Sequence, residues 1–143
     1  MSETLTGGCH CGAIGVTLTV DDAGALSPRH CGCDFCRRHG GLYVSAPNGH
    51  LTVTLGEPEH VSRYAFGHKT AEFLLCRRCG VLACATCELD GRRYAVLNAN
   101  VLSPPLATGD APVPVADYEA ESVDERLDRR RERWIGNVTI VEG

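Results

Sequence analysis

The 143-residue chain lacks the basic start and apolar run of a secretion signal, since it opens Met1-Ser-Glu-Thr-Leu-Thr. No apolar stretch approaches the roughly 18 residues of a membrane-spanning helix. The expectation is a soluble cytoplasmic protein with no membrane partner. An excess of positive charge is also missing. The formal charge is −4, and thiolate ligation of a metal carries it lower. Such a field does not invite nucleic acid or an anionic membrane. An even cysteine count is absent as well. Nine cysteines cannot all pair within one chain, and in a reducing compartment they point to metal or redox chemistry over disulfides. Internal repeats and low-complexity tracts are absent. At 43% hydrophobic residues the composition is that of a globular protein. The length suits one domain with a core of its own.

Several short segments carry strand periodicity. Ile14, Val16, Leu18 and Val20 alternate with Gly15, Thr17 and Thr19, and Leu51, Val53 and Leu55 alternate with Thr52 and Thr54. Further strands are expected over 42–46, 61–66, 71–75, 81–85 and 93–97, with a last short one over 138–141. Turns are read at Asp21-Asp22-Ala23-Gly24, Pro47-Asn48-Gly49, Gly56-Glu57-Pro58-Glu59, Gly67-His68-Lys69-Thr70 and Asp90-Gly91. Residues 29–41 hold so much glycine and cysteine that a loop is expected. Residues 103–116 hold four of the seven prolines and read as a surface connection. Ser122-Val-Asp-Glu125 fits a capping box that opens a helix through Arg133, with Gly136 as its C-cap. The whole reads as a mainly β domain with one C-terminal helix.

The cysteines fall into four groups: Cys9-x-Cys11, Cys31-x-Cys33-x-x-Cys36, Cys76-x-x-Cys79 and Cys84-x-x-Cys87. Two thiolates from one tight turn span an edge of a tetrahedron, and two such pairs from distant parts of a chain close a four-cysteine zinc site. Cys9 and Cys11 with Cys76 and Cys79 make such a clasp, and Gly80 supplies the positive φ that folds the second turn back. Cys84 and Cys87 are a rival partner for Cys76 and Cys79, but four residues are short for two turns to face one ion. Cys84 reads as a small buried apolar residue. Cys87, beside Glu88 in an expected loop, is left open as free, paired with Cys84, or completing a site. Cys31, Cys33 and Cys36 then fill three corners of a second ion, and an unfilled corner is the mark of a working zinc site.

Arg37, Arg38, Arg77 and Arg78 flank these motifs. They balance thiolate charge, or meet a carboxylate-bearing substrate, or are ordinary solvated arginines. His10, His30 and His39 sit beside cysteines as conceivable ligands or proton carriers, or as bystanders. Residues 124–133 count five arginines against four acids and read as a solvated helix packed through Leu127 and Trp134, with Glu125/Arg129 and Asp128/Arg131 as stabilising pairs.

The run Gly8-Cys-His-Cys-Gly-Ala13, then Cys31-x-Cys33-x-x-Cys36-Arg-Arg, then Phe73-x-x-Cys76-x-x-Cys79-Gly80 resembles the glutathione-dependent formaldehyde-activating enzyme family. That family also includes the centromere protein V type of domain. The resemblance covers residues 5–118. It implies a zinc-bearing β-tent fold of small antiparallel sheets, with residues 119–143 a C-terminal helix and tail packed on the same domain. It implies two Zn²⁺ per chain: a structural one on Cys9, Cys11, Cys76 and Cys79, and a catalytic one on Cys31, Cys33 and Cys36. Cys84 and Cys87 match no ligand of the family. The basic N-terminal extension of the centromere type is missing, and its chromatin role is not carried over.

The activity implied is that of a carbon–sulfur lyase, adding a thiol such as glutathione reversibly to a small aldehyde such as formaldehyde, as in S-(hydroxymethyl)glutathione synthesis. Three thiolates leave zinc a weak Lewis acid, less suited to making hydroxide than one held by neutral histidines. A soft incoming thiolate suits the open corner. The alternatives are a zinc-stabilised binding module, its fourth corner filled by Cys87, His39 or His30, and a redox or metal-handling protein using Cys84 and Cys87 as a reactive pair.

Overall fold

The computed structural model describes residues 2–107, 109–110 and 112–142. Two alternating segments found the smaller sheet. In β2 (Ile14–Val20) and β5 (His50–Leu55), Ile14, Leu18, Leu51, Val53 and Leu55 are fully buried. The strands pair antiparallel, with Ile14 opposite Leu55, Val16 opposite Val53 and Leu18 opposite Leu51. Two matched apolar rows thus share one face, which fixes the register, because a one-residue slip would turn every one of them to solvent. β1 (Glu3–Gly8) adds antiparallel to β2, and β11 (Asn137–Glu142) adds parallel to β5. β1 is not evident in the sequence, since Leu5 is its one large apolar residue and a sheet edge needs no more.

The larger sheet has seven strands. Its remaining members are β3 (Arg29–Cys31), β4 (Leu42–Val44), β6 (Val61–Tyr64), β7 (Glu72–Cys76), β8 (Leu82–Leu89), β9 (Arg92–Asn98) and β10 (Val115–Ala116), in the order β10-β3-β4-β9-β8-β7-β6. Its pairings are antiparallel except β10 on β3. One core packs Ile14, Leu18, Leu51 and Leu55 of the small sheet against Leu74, Cys84 and Leu97 of the large one. A second core lies on the other face of the large sheet, around Ala85, Cys87, Val96 and Trp134. The protein is therefore mainly β with two sheets, and the C-terminal helix is its one long helix among the described residues. No helix of the described residues is long and apolar enough to cross a membrane.

Two local expectations are corrected. Residues 29–41 are not an irregular loop, because they form β3 and the short helix α1 (Asp34–His39). The thiol of Cys33 caps that helix by accepting from the Cys36 N–H, while Asp34 in the first turn and Arg37, Arg38 and His39 in the last suit the helix dipole. β8 also runs four residues past Ala85, so Cys87 lies in a strand opposite Tyr94 and not in a loop. A central strand covered on both faces shows no polar alternation to mark its end.

The terminal helix, α2 (Val123–Arg133), starts at the expected capping box. Ser122 Oγ accepts from Glu125 N–H and the Glu125 carboxylate accepts from Ser122 N–H, each at 3.1 Å. Its end differs, since Trp134 is the C-cap in extended conformation and leads directly into β11.

Candidate metal centres

Gly7 and Gly8 let the first cysteine turn reach its place. A Cβ at Gly7 would collide with the Val101 carbonyl oxygen, so only glycine lets β1 pass so close to the chain at 101–102. Cys9 and Cys11 follow in the β1–β2 turn. Cys76 ends β7, and Gly80 holds the next turn at φ 79° with its N–H on the Cys76 carbonyl at 2.9 Å. The four thiols lie within 4.8 Å of one another. Sulfurs on the edges of a zinc tetrahedron with bonds near 2.3 Å are about 3.8 Å apart. Cys9 and Cys11 are 3.8 Å apart and Cys11 and Cys76 3.4 Å. Backbone N–H groups aim at the sulfurs as they do at thiolates: Ile14 at Cys9 (3.2 Å), Arg78 and Cys79 at Cys76 (3.4 and 3.5 Å). The donor set fits a metal held by four soft ligands, and it ties the small sheet to the large one.

The second cluster joins Cys31 at the end of β3 to Cys33, the N-cap of α1, and Cys36 within that helix, again within 4.8 Å. No other Cys, His, Asp or Glu of the described residues joins it. The Tyr43 hydroxyl donates to Cys36 Sγ at 3.1 Å. A hydrogen bond from Cys36 draws the Cys31 thiol down to about 6, helped by the Cys33 backbone and the Arg129 charge. The same bond pushes Cys36 up, as does burial. Burial likewise raises Tyr43, which keeps its proton and remains a donor. The set therefore fits one metal on three thiol ligands.

Both clusters match the spacing groups, and the two remaining cysteines stay away from them. Cys84 is fully buried in the core between the sheets, where burial pushes its thiol up to about 12. Cys87 lies in the core on the opposite face, 3.6 Å from Arg130 Nη1. The two are not paired, and the sheet separates them. The histidines also stay out of the three-thiol cluster. His30 Nδ1 is 2.7 Å from the Gly41 carbonyl and His39 lies against Phe35.

The triplet opens on a cavity of about 210 Å³. Cys31, Cys33 and Cys36 form part of its wall, and Phe66, Phe73 and Trp134 supply apolar cover. The arginines around it are not those beside the cysteine motifs. Arg37, Arg38, Arg77 and Arg78 are exposed, and Arg37 and Arg78 pair with Asp34 and Glu57. The cavity is lined instead by Arg29, Arg126, Arg129 and Arg130. The helix at 124–133 packs through Leu127 and Trp134 as expected, but it is not otherwise only solvated, because one face of α2 also walls the cavity. Arg129 is held there by Glu121 at 2.8 and 3.0 Å and lies 3.7 Å over the Tyr118 ring. The expected Glu125/Arg129 pair is replaced by Glu121/Arg129, and Glu125 is engaged in the cap. Asp128/Arg131 does form, at 2.7 Å. Chain position conceals this assembly, since Arg29 and Arg129 are a hundred residues apart; only the i, i+4 spacing of Arg126, Arg130 and Trp134 hinted at a shared face.

A solved crystal structure of a Rhodobacter sphaeroides protein is similar to this chain. The two are 28% identical with a TM-score of 0.60, over 78% of this chain and 99% of that one. The sequence model described as glutathione-dependent formaldehyde-activating enzyme matches residues 4–114, a span that holds both thiol clusters. The chain therefore belongs to the glutathione-dependent formaldehyde-activating enzyme family.

Proposed function

We propose that the protein is a zinc-dependent carbon–sulfur lyase that promotes the reversible addition of a glutathione-like thiol to a small aldehyde such as formaldehyde. Family membership supports the reaction class. The observation that carries the reading is the contrast between the clusters: four thiols close on one another, while three, with no fourth ligand among the described residues, border a cavity. In this reading Cys9, Cys11, Cys76 and Cys79 hold a structural zinc and Cys31, Cys33 and Cys36 a catalytic one. The 5–118 domain and the 119–143 tail then work as a unit, since α2 completes the cavity.

Zinc bound at the triplet would lower the pKa of a substrate thiol and hold its sulfur near the aldehyde. The chain's own groups do the rest. Tyr43 Oη keeps its proton and donates a hydrogen bond to Cys36 Sγ, which tempers the charge on that ligand. Phe66, Phe73 and Trp134 limit water around the reacting pair. In the addition a carbon–sulfur bond forms, and the thiol proton ends on the former carbonyl oxygen. His39 does not line the cavity, so water at the cavity mouth is the better proton carrier.

The binding-module alternative needs a fourth ligand, and Cys87, His30 and His39 are each engaged elsewhere. The redox-pair alternative needs Cys84 and Cys87 together, and they face different cores. The test is zinc-dependent turnover of glutathione with formaldehyde. A Cys33→Ser protein is expected to fold, keep one zinc and lose turnover. The same protein with full activity would contradict the reading.

A further inference from the structure

The cavity beside the triplet is lined by four arginines against two acids, Asp117 and Glu119, on a chain whose formal charge is −4. Arg126 and Arg129 share the carboxylate of Glu121. Arg29 and Arg130 contact no carboxylate among the described residues. Arg29 meets the hydroxyls of Tyr118 and Ser45, and Arg130 those of Thr70 together with the Cys87 sulfur. Arg130 is only 8% exposed. A guanidinium so buried without a counter-charge is costly to the fold unless something anionic meets it.

A second observation points the same way. Arg130 Nε and Trp134 Nε1 are buried N–H donors with no acceptor among the described residues. The side chains belong to one face of the chain at i, i+4, with the guanidinium carbon 4.8 Å from the indole ring centre, and both line the cavity. Two unmet donors, one of them cationic, on side chains that line one cavity suit an acceptor with negative charge. Arg126, Arg129, Arg130 and Trp134 all lie beyond residue 114, where the family match ends.

We propose that the cavity holds an anion subsite for a carboxylate on the thiol substrate, with Arg130 and Trp134 as its specificity-determining residues. The thiol half of this inference rests on the lyase reading, and the carboxylate half rests on the cavity alone. At about 210 Å³ the cavity is below the roughly 300 Å³ at which drug-sized ligands are enclosed. It therefore takes a compact thiol acid, or one carboxylate arm of a larger thiol.

Trp134 is the chain's single tryptophan, so its emission reports on the subsite directly. The metal-loaded protein is titrated with propionate, 2-mercaptoethanol, 3-mercaptopropionate and inorganic phosphate, with calorimetry for affinity. Propionate and 3-mercaptopropionate are expected to change Trp134 emission saturably, and 2-mercaptoethanol and phosphate to leave it unchanged. 3-Mercaptopropionate is expected to bind at least about tenfold more tightly than 2-mercaptoethanol, the effect of one hydrogen bond to a charged group. Trp134→Phe keeps a ring and loses the donor, and should weaken 3-mercaptopropionate about tenfold while leaving 2-mercaptoethanol unchanged. Arg130→Lys keeps the charge and loses the planar fork, and should act in the same direction. Propionate without effect, together with equal affinity for the two thiols, overturns the subsite. A response to phosphate in place of propionate overturns its assignment to a carboxylate. The propionate arm uses neither thiol nor aldehyde. Propionate binding without lyase turnover therefore keeps the subsite and rejects the lyase reading, and turnover of glutathione without a propionate response does the reverse.

Discussion

Tyr43 joins the core to the site. Its ring is buried at the centre of β4, its hydroxyl donates to Cys36, and Gly41 lies so close that a Cβ there would sit 2.7 Å from that hydroxyl. Gly41→Ala is expected to push the hydroxyl off Cys36, and Tyr43→Phe to remove it. Tyr43→Phe should cost about 1 kcal/mol of stability and lower turnover while both metals stay bound, which denaturation, metal counting and a rate assay together would check. Unchanged turnover would show that the hydroxyl serves packing alone. Gly7 sits at the other extreme, since nothing flexible surrounds it. Gly7→Ala places a methyl against the Val101 carbonyl and should destabilise by several kcal/mol, on the order of an overpacked core. A melting curve matching the parent would contradict that contact. At this scale the sequence was most informative for the seven clustered cysteines, because metal chemistry fixes both residue type and local spacing. It was silent on Tyr43 and Arg29, whose roles depend on strands that meet only in the folded chain.

At the scale of elements, α2 is the informative case. Its start was legible, because a capping box is a local signal between Ser122 and Glu125. Its purpose was not, because the arginines on its inner face look like those on its outer one until the cavity is placed. Ser122→Ala should cost about 1 kcal/mol, a melting shift of a few degrees for a chain this size, and should weaken thiol binding because the cavity wall frays. Glu121 supports the same wall. The hydrogen bond from Arg129, then the nearby charges of Arg129 and Arg126, hold its carboxyl below the ordinary value of 4.5. A depressed carboxyl contributes its stability in full above the unfolded value and loses it as pH falls through the folded one. Glu121→Gln should therefore be less stable than the parent at pH 7, with the gap closing as pH drops below about 4.5. Denaturation at several pH values would check this, and a gap independent of pH would contradict it. β8 makes the complementary point. Buried on both faces, it carries no polar marker, and its true end beyond Cys87 could not be read from periodicity.

For the whole molecule, the four-thiol cluster is a clasp between sheets. Cys9 and Cys11 leave the small sheet beside β1 and β2, and Cys76 and Cys79 leave the large sheet at β7. With zinc in this cluster as proposed, its removal is expected to loosen the junction of the sheets and lower cooperativity, because binding energy at such a site is also folding energy. Emptying the triplet should leave the fold nearly intact, since β3 and β4 are held by backbone pairing and by Asn98, which bonds Leu42 N–H and the Leu82 carbonyl. The general architecture was legible because two strongly alternating strands and the cysteine turns bracket it. The pairing of distant strands was not, and the cavity depends on that pairing.

The central claim is that one cluster is closed and the other open. Coordination number measured by X-ray absorption on the purified protein and on Cys9→Ser and Cys33→Ser variants, with and without added thiol, tests it most directly. Two metals per chain are expected, one bound by four sulfurs and indifferent to thiol, the other bound by three sulfurs and a lighter atom and gaining a sulfur when thiol is added. Four protein sulfurs on both metals, with no response to thiol, would contradict the account.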